Sequence, residues 1–326
     1  MQPVSEDVAQ PEDEQASALG RAITGTTIGM FVPVVAMWVV GGLFVCPLAL
    51  AIGAIAGDAK ITPLLIVLVW TLSAGLMFLR PVEEVVGNFF YGLRRPTGAE
   101  MERLGGAWNY VCAAAGVDSS KYVLRVQQIG EINALAGGGH VVAVTRLGLT
   151  LEEEELRAVL AHELAHHLDL HPVPLMLSAW YQIPVRIANL LMGVIERVAV
   201  VLSKFDGVFQ IVALVLLVPI WILRLYIGVI IWASNLVAAI FGRFAEYAAD
   251  RRATDLGFGR GLISVLEVFI DMGHDEAHAK SGLVARAFSV HPQAHKRIRA
   301  IERRIAENAT SVAAPAAAAL PGVVDN

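Results

Sequence analysis

Two long apolar runs open the hydrophobic pattern. Ile23 to Gly57 holds no charged residue, and after a short "DAK" the run from Ile61 to Leu79 is also uncharged. A helix needs about 20 apolar residues to cross the hydrocarbon core of a bilayer. The second run fits one span. The first is long for one span and short for two, so it reads as a single tilted or Gly/Pro-interrupted helix. From Arg80 to His171 the pattern is mixed. "GAEMERLGGAWNYVCAAAG" has helical spacing, whereas "YVLRVQ" and "GHVVAVTRLGL" are valine-rich, alternate, and predict strands. "TLEEEELRAVLAHELAHHLDL" predicts a helix opened by a T-x-x-E capping box of Thr150 and Glu153. A second apolar block runs from Pro172 to Phe241. Its first half carries Arg186, Glu196 and Arg197, and its second half is broken only by Arg224. Two further membrane helices joined near "SKFDG" are expected there, with interfacial or re-entrant helices as the less regular alternative. A polar helical part runs from Gly242 to about Asn308.

The chain thus divides into a disordered acidic tail (1–22), two transmembrane helices (23–80), a first globular part (81–171), two further membrane helices (172–241), a second globular part (242–308) and a disordered Ala/Pro tail (309–326). Composition agrees. Of 326 residues 56% are hydrophobic and only 17% charged, against about a quarter charged in soluble domains. A net charge of −5 gives no sign of nucleic-acid binding. The opening residues lack the basic start of a signal peptide. The two cysteines, Cys46 and Cys112, form no CxxC pair and read as buried, reduced thiols. Arg80, Arg94, Arg95 and Arg103 follow the second span, and Arg243, Arg251, Arg252 and Arg260 follow the last. The positive-inside rule puts both globular parts on the cytoplasmic side.

Four of the nine histidines fall in "HELAHHLDLH", His162 to His171. His162, Glu163 and His166 form H-E-x-x-H. Two histidines four apart share a helix face and can grip one Zn²⁺, and Glu163 lies beside the open position, placed to take a proton from water. His167 and His171 are rotated about 140° and 180° from His162 on an ideal helix, so they are expected to face solvent or an interface. Asp169 either orients His166 or is solvated. A zinc hydrolase needs a third protein ligand. "FAEYAADRRATDLG" offers Glu246, with Asp250 one turn on to hydrogen-bond a ligand imidazole. From spacing alone these two acids are equally consistent with solvated residues beside Arg251 and Arg252. The valine-rich "GHVVAVTRL" is expected to be an edge strand that pairs with an extended substrate, with Asn133 in "INALA" as a hydrogen-bonding partner of the substrate backbone.

The segments "EINALAGGGHVVAVTRLGL", "AVLAHELAHH", "EYAADRRA" and "SVHPQAHKRI" occur in an order that resembles the membrane-bound zinc metallopeptidases that include bacterial HtpX and the CAAX prenyl endopeptidases. The resemblance covers roughly Ile23 to Glu307. It implies a mainly α membrane protein with an α+β gluzincin-type zinc peptidase domain, in which a small β-sheet with an edge strand accompanies the HExxH helix. It assigns His162, His166 and Glu246 to one Zn²⁺ per chain and Glu163 to catalysis. It also places His291 and Arg297 by the active site, His291 as a donor to the developing oxyanion and Arg297 as an anchor for substrate or for a ligand. The expected activity is endopeptidase cleavage of membrane or unfolded proteins in extended conformation. The HtpX-like branch implies membrane-protein quality control at a bacterial plasma membrane, with the active site facing the cytoplasm. The alternative is a non-enzymatic zinc-binding membrane scaffold or chaperone. Structural zinc sites usually close all four positions with Cys and His, and no Cys lies near this motif.

Overall fold

The uncharged opening run forms one helix, α1 (Pro11–Ile55), which keeps Pro33 and Pro47 inside it. The structure, a computed structural model, describes residues 11–273 and 292–318. After α1, Asp58 turns the chain. Its carboxylate accepts from the backbone N–H groups of Lys60, Ile61 and Thr62 at 3.0, 3.0 and 2.9 Å and so starts α2 (Ile61–Ser73). A 3₁₀ turn, Ala74–Phe78, leads to α3 (Arg80–Tyr91), which has Pro81 in its first turn.

A four-stranded sheet follows, with β1 (Leu93–Arg94), β2 (Val123–Gln127), β3 (Ala134–Gly137) and β4 (Val141–Thr145) in the order β1-β2-β4-β3. β2 and β4 are parallel, and both outer pairs are antiparallel. α4 (Gly98–Ala114) carries a Thr97–Glu100 capping box and packs on α5 (Glu153–Leu168), the HExxH helix. Leu104, Trp108, Val126, Val142, Leu156, Leu160, Leu164, Leu266 and Ile301 form the core between these elements and α9 (Gly259–Asp271) and α10 (Ala294–Ala318).

Between α5 and α9 the chain forms α6 (Pro172–Tyr181), α7 (Ile183–Leu202) and a 48-residue helix, α8 (Val208–Asp255). α1, α2 and α8 contain the described helices long and apolar enough to cross a membrane. α7 and α8 pack on each other and on α1, and Glu196 of α7 pairs with Arg224 of α8 at 2.6 Å. Apolar side chains on α1, α2, α7 and α8 face outward, among them Leu64, Val69, Leu190, Leu214 and Leu225. The result is a mainly α membrane protein bearing a small mixed sheet.

Several expectations need correction. The strand at the sheet edge beside the HExxH helix is β3, not the valine-rich β4, which is paired on both sides. All five residues of β4 are buried, and a run that is apolar on both faces marks an interior strand. α5 starts two residues later than the T-x-x-E pattern suggests. The box is formed by Glu152 and Glu155, because Thr150 ends a 3₁₀ turn and donates its hydroxyl to the Leu147 carbonyl. Helical backbone also reaches into both segments read as tails. α1 begins at Pro11, a residue suited to a first helical turn, and α10 runs to Ala318 through an alanine-rich stretch of high helix propensity. Residues 1–10 and 319–326 lie outside the described residues.

Candidate active site

His162, Glu163 and His166 sit in the middle of α5, where the backbone is helical on both sides and the spacing of four stacks the two rings. Their Nε2 atoms are 3.1 Å apart, with the ring planes nearly perpendicular. Glu246 reaches them from α8, with Oε2 3.6 Å from His162 Nε2 and Oε1 3.5 Å from His166 Nε2. Ala161 and Ala165 on α5 and Ala245 and Ala249 on α8 are buried, and these small side chains let the two helices close on each other. His162, His166 and Glu246 are the described residues whose ligand atoms converge as a metal would require.

Each of these groups is held from behind. Asp250, one turn beyond Glu246, puts Oδ1 3.0 Å from His162 Nδ1, a charge contact rather than an aligned hydrogen bond. Burial disfavours a charged His162 ring, but the Asp250 and Glu246 carboxylates override it and push its pKa up to about 10. The field that favours a proton there favours any cation. Arg297 of α10 is buried and fully engaged. Its Nε and Nη2 donate to Asp250 at 2.7 and 2.6 Å, and Nη1 lies 3.0 Å from Glu246 Oε2.

His171 holds the other ring, with its Nδ1 2.9 Å from Nδ1 of His166. Burial drives the pKa of His171 down to about 3, which favours the neutral ring. This corrects the expectation that His167 and His171 face solvent or an interface. Both are buried, and neither belongs to the converging set. The helical projection fails for His171 because α5 ends at Leu168 and Leu170 adopts φ 57, which swings His171 back under His166. His167 contacts the Val141 carbonyl at 2.9 Å, and burial lowers its pKa to about 4. Asp169 does not orient His166. It is buried and pairs with Arg252.

These groups form one wall of a cleft of ≈ 660 Å³. The facing wall includes Asn133 to Ala136, the start of edge strand β3, and Asn133 Oδ1 accepts from the Ala134 N–H at 2.8 Å. Met30 of α1, Leu175 of α6, and Leu266 and Phe269 of α9 add apolar lining. His291 lies outside the described residues. The partnership of His171 with His166 is the feature that spacing missed. Its one signal in the sequence is the histidine placed just past the helix end.

A buried His₂Glu cluster with a glutamate beside it, set in a cleft bordered by a strand edge, defines a metallopeptidase site. The chain belongs to peptidase family M48, whose sequence profile matches residues 100–305. No curated protein sequence matches the chain. Among solved structures it is similar to the crystal structure of S. mikatae Ste24p, at 18% identity and a TM-score of 0.44, over 81% of this chain. The chain spans 63% of the length of that protein.

Proposed function

We infer that the chain is an integral-membrane, zinc-dependent endopeptidase that cuts extended segments of membrane or unfolded proteins, as in the quality-control role of the HtpX-like branch. One observation carries the reading: the His162–His166–Glu246 cluster and edge strand β3 line one cleft that also touches the membrane-spanning helix α1. The donor set fits one zinc ion. Ligand atoms separated by 3.1, 3.5 and 3.6 Å bracket the roughly 3.3 Å expected between ligands of a tetrahedral ion with bonds of about 2.0–2.1 Å.

Zinc held there lowers the pKa of water and polarises a peptide carbonyl. The protein's own residues do the rest. Glu163 takes the proton from the attacking water and passes it to the leaving amine. Asp250 and His171 fix the orientation of the two ligand rings. Arg297, paired with Asp250 and Glu246, holds the ligands in place from the wall of the cleft. The free edge of β3 pairs with a substrate backbone, and Asn133 hydrogen-bonds that backbone at the strand's start. Pairing of this kind reads main chain more than side chains, which suits unfolded substrates. His291 keeps its assignment as an oxyanion donor on its sequence motif alone.

The active site faces the cytoplasm, as the arginines after α2 and α8 imply. Glu246 at the end of α8 meets His162, which follows α2, so both helix ends lie on one side of the membrane. The chain must therefore cross once more between α5 and α8. α7, with 20 residues, is long enough at about 1.5 Å per residue to span the core. The deciding experiment maps new N-termini in membranes holding the wild-type protein or Glu163→Gln at equal zinc content. Cuts unique to the wild type are expected, and equal cutting by Glu163→Gln would refute the mechanism.

A further inference from the structure

α3 has its amphipathic faces reversed relative to a helix that packs on a globular domain. Val82, Val85, Val86, Phe89 and Phe90 fall within an arc of about 140° on an ideal helix. The opposite arc carries Glu83, Glu84, Gly87 and Asn88. A soluble domain buries the apolar arc. Here Glu83, Glu84 and Gly87 of the polar arc are turned inward, and Asn88 is exposed. Glu83, 3% exposed, accepts from the Gly139 N–H at 2.5 Å and meets His140 Nδ1 at 3.1 Å. Glu84 pairs with Arg125 of β2 at 2.8 Å. Val82 and Val86 of the apolar arc are half-buried and the rest is bare, with Val85 65%, Phe89 81% and Phe90 71% exposed.

We propose that α3 lies flat in the membrane–water interface, with Val85, Phe89 and Phe90 sunk into the bilayer, so that the lipid surface covers this face and seats the sheet of the peptidase domain. Three observations select lipid as the occupant. The exposed Leu72, Leu76 and Leu79 run without a break from the outward surface of α2 onto α3. Exposed basic residues flank the helix at both ends, where lipid phosphates would meet them. Arg80 begins it and donates to the Lys121 carbonyl at 3.0 Å, and Arg95 lies 3.9 Å from Glu84. The α3 face alone is too small for a stable protein partner, since two rings bury about 150–250 Å² each against roughly 800 Å² per side of a standard interface, and its continuation onto α2 is the surface of a candidate membrane span.

The inward face gives this seat a structural role. Glu83 grips the three-residue turn between β3 and β4. Gly138 in that turn has φ +58, and a Cβ there would lie 2.5 Å from Glu83 Oε1, so only glycine allows the close approach. A helix fixed in the interface thereby fixes the far end of the strand that borders the cleft.

The test uses the full chain in lipid bilayers. Val85→Cys and Phe89→Cys are each made in a Cys46→Ala background and labelled with bimane, with Glu302→Cys on the exposed side of α10 as the aqueous reference. The expected result at both α3 positions is blue-shifted emission, loss of fluorescence with lipids brominated high on the acyl chain, and no loss with aqueous iodide. Iodide quenching equal to that at residue 302 would overturn the proposal. Protection from both quenchers would overturn it too, since a protein and not lipid would then cover the face.

Discussion

Arg297 grips Asp250 through two parallel hydrogen bonds of 2.7 and 2.6 Å. The same carboxylate stands 3.0 Å from the ring nitrogen of His162 that faces away from the converging ligand atoms. Three elements distant in sequence (α5, α8 and α10) are thus locked by one charge relay behind the ligand set. Removing a group that orients a metal ligand typically costs about 10–100-fold in affinity. Asp250→Ala is therefore expected to weaken zinc binding by that factor in chelator competition. Arg297→Lys, which keeps the charge but loses the two-pronged geometry, is expected to weaken it less. Unchanged zinc affinity in a folded Asp250→Ala protein would remove Asp250 from the site.

Glu246 is a direct ligand in this reading, and its loss is expected to be more severe. Glu246→Ala leaves two histidines and should strip most of the zinc under conditions where Asp250→Ala retains a measurable fraction. Metal analysis of the purified proteins gives the answer. Full retention by Glu246→Ala would mean that the third ligand comes from elsewhere.

The Arg94–Glu100 pair sets an acid limit on the fold. Arg94 beside Glu100, helped by the Thr97 backbone N–H, holds the Glu100 carboxyl down at about 2, against 4.5 for an unperturbed glutamate. The depressed value means that the folded state binds the proton less readily than the unfolded one. This contribution is complete above pH 4.5 and is lost as pH falls toward 2. Glu100→Gln should flatten that part of the stability curve and leave neutral-pH cleft chemistry unchanged. A denaturation series between pH 5 and about 2.5 checks the slope.

Within the apolar block, Glu196 accepts from Arg224 at 2.6 Å and from the Trp221 indole at 3.1 Å. Each charge makes the other tolerable among apolar helices. Glu196→Leu alone should destabilise the protein more than Glu196→Leu combined with Arg224→Leu. The expected coupling energy is about 1–2 kcal/mol. Thermal unfolding of the four-membered mutant cycle measures it, and strictly additive effects would show that the contact is incidental.

Cys112 is buried in α4, and burial raises its thiol pKa to about 11. The thiolate is the reactive form. A water-soluble maleimide at pH 8 should leave Cys112 unmodified in the folded protein and label it after denaturation, as read by mass spectrometry of the peptide.

The spans α1 and α2 and the HExxH helix were legible because each rests on local spacing or on an uncharged run, whereas the approach of Glu246 with Asp250 was legible through the order of motifs that carries the family resemblance. The join between α7 and α8 was legible from "SKFDG". What escaped depends on tertiary context. β3 is four residues of "ALAG", with no large side chain to show alternation. Identifying β4 as interior requires the strand order, which valine content does not reveal. The role of His171 depends on a left-handed Leu170 just beyond a helix end, where projection at a constant angle no longer applies. The orientation of α3 is hidden because an apolar helix face points toward lipid and toward a core with the same sequence pattern.

α8 runs without a proline from Pro219 to its end at Asp255. From Pro219 through the lipid-facing residues to Glu246 the helix runs unbroken for about 40 Å. Metal–ligand bonds tolerate only about 0.2 Å of drift. Any rocking of α8 in the bilayer larger than that must carry α5 with it or pull the ligand set apart. The continuous helix makes the span and the His162–His166–Glu246 cluster parts of one rigid element, so that tilt of α8 is expected to reach the cluster directly.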